Sequence, residues 1–334
     1  MNHIDTDSYS TDLRAHAIRL GSREILVSRI AGSSQSFDLT DPPNADGFGR
    51  VRHFRGAQPA PWPHNPLPVQ PAAHRLGVAP ELTSTAEVFQ NAACNWRCWY
   101  CYVPFELLSA NEGKSGWFTA DELVRMYQAL DERPMVIDCS GGQPDLVPEW
   151  IPWMMDALER AGLERDVYLW SDDNLSNSYF WERLSAEEVA RVASYRNYGR
   201  VCCFKGFDDE SFSFNTKAAP ELFARQFELF DRLRRTGMDL YAYATFTGPT
   251  PEEAAKGVAS FVDRLQEIDR NLPLRLIPLR IEVFGVVEPR VREAQRLSLE
   301  TQEAAIDQWN AEVAARFSAA EREQPIATVA WSDA

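Results

Sequence analysis

The chain has 334 residues, 45% hydrophobic and 25% charged, with a formal net charge of −15 and a mean hydropathy of −0.36. These fractions belong to a globular chain rather than a disordered one, and the length allows one large domain with an appendage. The acidic balance argues against a general nucleic-acid binder. The absence of any run of about 18 apolar residues and a polar N-terminus predict no membrane partner, no secretory signal and a cytoplasmic location.

Two residue types are segregated. All five histidines lie within the first 74 residues, and all six cysteines lie between positions 94 and 203. Residues 1–80 carry eight Arg, no Lys and seven acidic residues, a net of +1, which leaves −16 on the remainder. The reading is an N-terminal extension over 1–84, a body over 85–290 and a C-terminal helix and tail over 291–334.

In the extension, residues 9–31 read as one or two short strands around Ile25, Leu26 and Val27. Residues 32–47 read as loop. The run around Arg50, Arg52, His53 and Arg55 reads as a basic strand with Arg50, Arg52 and Phe54 on one face. A solvated face is the plainer reading, and a grip on an anion or carboxylate is the alternative. Residues 59–71 hold six prolines and predict an extended strap, expected to cross the mouth of the body.

From residue 85 a regular pattern sets in. Apolar or β-branched runs at 86–90, 134–139, 166–171, 200–205, 238–246 and 274–284 alternate with helical segments. Thr119-x-x-Glu122 and Ser185-x-x-Glu188 are capping boxes that open helices. A helix over 148–160 ends before Gly162, and amphipathic stretches follow at 220–235, 251–268 and 299–317. Strand–helix alternation at this spacing predicts α/β architecture with a parallel sheet, either doubly wound or an incomplete barrel. Either architecture puts chemistry at the C-terminal ends of the strands.

The strongest motif follows the first body strand. Cys94, Cys98 and Cys101 are spaced C-x3-C-x2-C, with Tyr100 just before the third. Neighbours this close in a chain without a secretion signal are not expected to form disulfides. A structural zinc site needs four closed ligands, whereas here there is no second cysteine pair and no histidine beyond residue 74. Three thiolates on a [4Fe–4S] cluster leave one iron open to an outside ligand, which suits a catalytic cluster. Trp96, Trp99 and Trp117 are read as its cover against water. Cys139, Cys202 and Cys203 read as small buried strand residues.

A C-x3-C-x-aromatic-C loop after the first strand of a βα body resembles the radical S-adenosylmethionine (SAM) superfamily, over roughly residues 84–285. The resemblance implies a partial (βα)6 TIM-type barrel. It also implies an enzyme whose [4Fe–4S] cluster, on Cys94, Cys98 and Cys101, reductively cleaves SAM to a 5′-deoxyadenosyl radical that abstracts hydrogen from a substrate. The segment Gly141-Gly142-Gln143-Pro144 is similar to the family's glycine-glycine-glutamate-proline motif, with Gln143 in place of the acid. It would hold the SAM amino group, Gln143 accepting through its amide oxygen. Tyr100 and Tyr102 are further cofactor contacts on this reading. So are Ser171, Asp173 and Asn174 at the end of the third strand, where Ser171 and Asp173 share one face. Lys205 ends the fourth strand and suits an anion. Glu282 ends the sixth, to hold substrate or to pair with Arg280. The implied partners are a flavodoxin- or ferredoxin-type electron donor and a small-molecule substrate. A peptide- or protein-modifying enzyme is the alternative, and a non-catalytic iron–sulfur or zinc scaffold the third reading. No body histidine, G-x-S-x-G or P-loop supports hydrolase or nucleotide chemistry.

Overall fold

The backbone alternation of the body is realised in a computed structural model of the chain, which describes residues 3–39, 41–53, 65–80 and 85–332. In chain order, α1 (Thr6–Ala15), β1 (Ile18–Arg19), β2 (Glu24–Ser28), β3 (Gly49–His53) and α2 (Val69–Leu76) precede β4 (Thr85–Gln90). There follow β5 (Ser115–Thr119), α3 (Ala120–Gln128), β6 (Val136–Ser140), α4 (Trp150–Arg160), β7 (Tyr168–Asp173), α5 (Tyr179–Arg183) and α6 (Ala186–Ser194). The chain continues through β8 (Tyr198–Phe204), α7 (Asp209–Thr216), α8 (Leu222–Arg234), β9 (Leu240–Thr245), α9 (Pro251–Ile268), β10 (Leu276–Leu279), α10 (Glu293–Arg316) and α11 (Ala319–Arg322). Both predicted capping boxes are formed, and Gly162 follows α4 with φ +69°.

Among the described residues, β4, β6, β7, β8, β9 and β10 pair in parallel and in sequence order, with β3 antiparallel on the outer edge of β4. Strand order never reverses, as it would at the switch point of a doubly wound sheet. The architecture is therefore α/β with a singly wound parallel sheet, as in a partial (βα)6 barrel. A second, antiparallel sheet joins β1, β2 and β5. Through β2 and β3 the N-terminal region is hydrogen-bonded into the body.

Both faces of the parallel strands are covered. Leu169, Cys139, Cys202, Phe204 and Ala242 face the helices in the main core. Val136, Tyr168, Trp170, Val201, Cys203, Tyr241 and Tyr243 form a smaller core on the inner face, against Leu67 and Val69. Both sides of these strands are apolar, as in buried parallel sheets generally.

The structure departs from the sequence expectations in several places. Residues 6–15 are a helix, not strand. The buried positions of α1 are Thr6, Ser10, Leu13 and Arg14, so no apolar period announces it; Asp5 caps it by accepting from the Ser8 N–H at 3.2 Å. The sixth body strand is shorter than 274–284 and ends at Leu279. Residues 69–71 begin α2 rather than continue an extended strap. Phe54, Arg55 and residues 59–64 of the proline-rich run lie outside the described residues. No helix of the described chain is long and apolar enough to cross a membrane.

Candidate functional site

The C-terminal ends of the parallel strands open into one cavity of about 280 Å³. Its wall carries Cys94, Cys98 and Cys101, Tyr100 and Tyr102, Gly141, Gly142 and Gln143, Asp173 and Asn174, Lys205 and Glu282. Twelve of the fourteen residues singled out in the sequence are thus brought together. The two that are not are Pro144, buried at the start of the turn after β6, and Ser171.

The cysteine loop is held from several sides. Asn95 Nδ2 donates to Ser10 Oγ at 2.8 Å and to Ser176 Oγ at 2.7 Å. Trp96 Nε1 donates to Thr6 Oγ1 at 3.1 Å, so the polar face of α1 is a support for this loop. Arg97 donates to the carbonyl oxygen of Cys94. Arg290 donates to those of Cys101 and Val103 while lying 3.9 Å from the Phe105 ring. Trp96 and Trp99 are 1% and 5% exposed and seal the outer side. Trp117 does not join them; it stacks under Arg19 on the small sheet.

The turn after β6 needs its glycines. Gly141 has φ +85°, a left-handed region that disfavours side chains. A Cβ on Gly142 would stand 2.4 Å from the carbonyl oxygens of Asn91 and Ala93. Gln143 N donates to the Ala93 oxygen at 2.8 Å, and Asn91 Nδ2 returns a bond to the Gln143 oxygen at 2.7 Å. The turn is thereby locked to the strand that precedes the cysteines.

The side chain of Gln143 is engaged differently from the sequence expectation. Its Oε1 accepts from the Asn174 N–H at 2.8 Å, and its Nε2 donates to Asp173 Oδ1 at 2.8 Å. Asp173 in turn lies 3.7 Å from Arg200, which donates to Asp145 Oδ2 at 2.8 Å and, through Nε, to Tyr198 at 3.0 Å. Ser171 Oγ is spent on Tyr198 at 2.7 Å. Ser171 and Asp173 do share a face, but it is the face packed against the helices. Asp173 reaches the cavity only at the strand end. The inward residue of this pair is Asp172.

The wall also holds residues that were not singled out as site residues, Asp172, Arg52 and Cys203 among them. Asp172 follows Tyr168 and Trp170 on the inner face. Arg52 crosses from β3 to lie 3.5 Å from Asp138 on β6; Arg50 is 5% exposed beside it. The basic strand is thus the carboxylate grip, not the solvated face. Cys203 is not just packing like Cys139 and Cys202, since its inner-face position puts it on the cavity wall beside Lys205. At the rim, Arg280 pairs with Glu303 of α10 rather than with Glu282, and Glu282 stands exposed beyond the end of β10.

Burial pushes the Cys98 thiol up to about 12 and raises that of Cys101, each opposed by the Lys205 cation. Burial alone would lower Lys205, but the surrounding Cys203, Tyr100, Cys98 and Cys101 in their anionic forms hold it well above its ordinary value. These thiols become thiolates only beside a strong cation, which a metal supplies. Among the described residues no three His, Cys, Asp or Glu side chains form a group that could hold a single metal ion. An iron–sulfur cube gives each thiolate a separate corner.

Glu87, Asp145 and Asp172 are each pushed up to about 7, chiefly by burial. In the unfolded chain such groups titrate near about 4. The fold therefore holds protons that the unfolded chain has released, and stability is present in full below the unfolded value and lost as pH rises through the folded one. Without any cofactor, the chain should melt at a higher temperature at roughly pH 6 than at roughly pH 8. Thermal unfolding followed by circular dichroism checks this, and an inverted order would contradict it.

No protein-family model matches the chain, and no curated protein does. Among solved structures it is similar to Streptococcus suis SuiB bound to S-adenosylmethionine, at 18% identity and a TM-score of 0.41, over 65% of this chain and 46% of that one. SuiB bound to the precursor peptide SuiA matches at 16% identity and 0.38, over 53% and 36%. Histidine-tagged anSMEcpe with bound AdoMet matches at 14% and 0.41, over 57% and 48%. The chain spans less than half the length of each of these structures.

Proposed function

We propose that this chain is a radical SAM enzyme. Cys94, Cys98 and Cys101 hold a [4Fe–4S] cluster, and the Gly141–Gln143 turn, Asn174 and Lys205 hold S-adenosylmethionine beside it. One observation carries the reading: the C-x3-C-x2-C loop follows the first of six sequentially paired parallel strands and lines the cavity at their C-terminal ends. Bound together, the two cofactors supply hydrogen-atom abstraction from a substrate on one-electron reduction by a ferredoxin- or flavodoxin-type donor.

The chain's own residues bind, orient and shield. Asn174 Nδ2, 4.0 Å from Cys94 Sγ, donates a weak hydrogen bond that eases a negative charge on sulfur. The glycine turn offers backbone groups at close approach. Lys205 is the cation for a ligand carboxylate. Gln143 and Asp173 brace the turn against β7 from behind rather than meeting the ligand with Gln143 Oε1. Trp96 and Trp99 keep water from the cluster.

For the substrate, a free metabolite was the first expectation. A side chain presented by a peptide or protein, as in the SuiB structure that holds a precursor peptide, is the second reading. The exposed rim favours it: Glu282 and Val283 stand in solvent at the mouth of a buried to half-buried wall.

Anaerobic reconstitution with iron and sulfide tests the reading. The protein should take up broad visible absorbance and, with dithionite and SAM, release 5′-deoxyadenosine and methionine. Zinc in place of iron, or no 5′-deoxyadenosine, would refute it.

A further inference from the structure

The cysteine loop is gripped by two cations that no carboxylate answers. Arg97, inside the loop, donates to the carbonyl oxygens of Cys94 and Trp96, to the Tyr9 hydroxyl and to Ser109 Oγ at 3.1 Å. Arg290 arrives from the turn Glu288–Arg290, beyond the last strand of the parallel sheet, and donates to the carbonyl oxygens of Cys101 and Val103. Both guanidiniums lie against the Phe105 ring, at 5.6 and 3.9 Å.

All of these partners are neutral. Among the described residues neither arginine has an Asp or Glu at ion-pair distance, in a chain with 49 acidic and 34 basic residues. Both are half-buried, so solvent and salt screen their charge less than that of an exposed arginine. Neither lines the cavity. Lys205, which does, is neutralised once it meets a ligand carboxylate, whereas the two arginines keep their charge. The stretch that Arg290 grips also touches a ligand sulfur, because the Val103 N–H donates to Cys101.

We propose that Arg97 and Arg290 set the reduction potential of the cluster held by Cys94, Cys98 and Cys101, raising it to bring it within reach of its one-electron donor. The proposal rests on the radical SAM reading above. Reduction adds one electron to a centre already bound by three thiolates, within a chain of net charge −15. A nearby positive charge stabilises the reduced form more than the oxidised one, and charge and hydrogen bonding around a cluster set its potential. The electron comes from the ferredoxin- or flavodoxin-type donor, and no bond forms or breaks in the step.

Redox titration of the reconstituted full chain without SAM tests this, with the reduced cluster read by electron paramagnetic resonance. At the wild-type midpoint, Arg290→Met and Arg97→Met should each lower the ratio of reduced to oxidised cluster about tenfold, a shift of about 59 mV for one electron. Arg290→Lys keeps the charge and should stay closer to the wild type. Ser109 is exposed, and Ser109→Asp leaves Arg97 its carbonyl bonds while giving it a carboxylate partner. This variant should lower the midpoint relative to Ser109→Asn. That pair separates charge from support of the loop, and it stays readable if an arginine variant takes up no iron. Equal midpoints in Ser109→Asp and Ser109→Asn overturn the proposal. So does an intact Arg290→Met cluster with an unmoved midpoint, or an Arg290→Lys midpoint shifted as far as that of Arg290→Met. If the wild-type chain takes up no iron–sulfur cluster at all, the radical SAM reading itself falls, a result distinct from an unmoved midpoint.

Discussion

Cys98→Ala is expected to strip the reconstituted protein of its visible absorbance and to bring 5′-deoxyadenosine formation down to background. Cys98 is 9% exposed and lies between the other two thiols of the loop. Removing it leaves one corner of a cluster without a ligand. Cys139→Ala and Cys202→Ala are the informative controls. Both cysteines sit on the same strand system but face the helices, so both variants should keep the absorbance. Circular dichroism should show Cys98→Ala folded, since one buried thiol exchanged for a methyl is a small volume change. Retained SAM cleavage in Cys98→Ala would remove the ligand assignment. Loss of the cluster in Cys139→Ala or Cys202→Ala would move it elsewhere.

The largest stability effect should come from Arg200→Met. Arg200 has 0% exposure, bonds to Asp145 and Tyr198, lies 3.7 Å from Asp173 and stacks 4.8 Å from the Phe180 ring. Breaking a buried ion pair from one side strands the partner carboxylates and costs about 3–5 kcal/mol. Burial already holds Asp145 up at about 7 against the pull of Arg200, so without Arg200 it is pushed further toward its neutral form. The loss should therefore shrink as the pH is lowered. Arg200→Met combined with Asp145→Asn should recover part of it, because the orphaned charge is gone. Denaturant unfolding measures both. A cost for Arg200→Met below about 1 kcal/mol would mean the cluster is not the buried unit described. The effect should extend to function, because Asp173 and Gln143 brace the glycine turn through the same chain of bonds.

Much of the architecture was legible because it rests on local physics. The capping boxes at Thr119 and Ser185, the glycine after α4 and the six apolar runs each announce an element through backbone chemistry that needs no distant partner. Helix α1 was not legible, because its buried face is Thr6, Ser10, Leu13 and Arg14, with Leu13 its single apolar member. These side chains are inside only because Trp96 and the Arg14–Glu149 pair meet them. The missing apolar period hid an element that braces the cysteine loop.

The sequence by itself determined which residues would gather at the strand ends. Spacing put three thiols on one loop, and two adjacent glycines marked a close backbone approach. Only the tertiary structure decided which way side chains turn. Along β7 alternation divides Asp172 from Ser171 and Asp173, but a parallel strand buried on both faces has no solvent side to tell inner from outer. The same ambiguity separated Cys203 from Cys202. Arg52 belongs to an edge strand, and nothing local says that its guanidinium reaches Asp138. That contact exists because only β4 separates β3 from β6 in the sheet, so a long side chain on the inner face of one reaches the other, a property of the strand order and of no single segment.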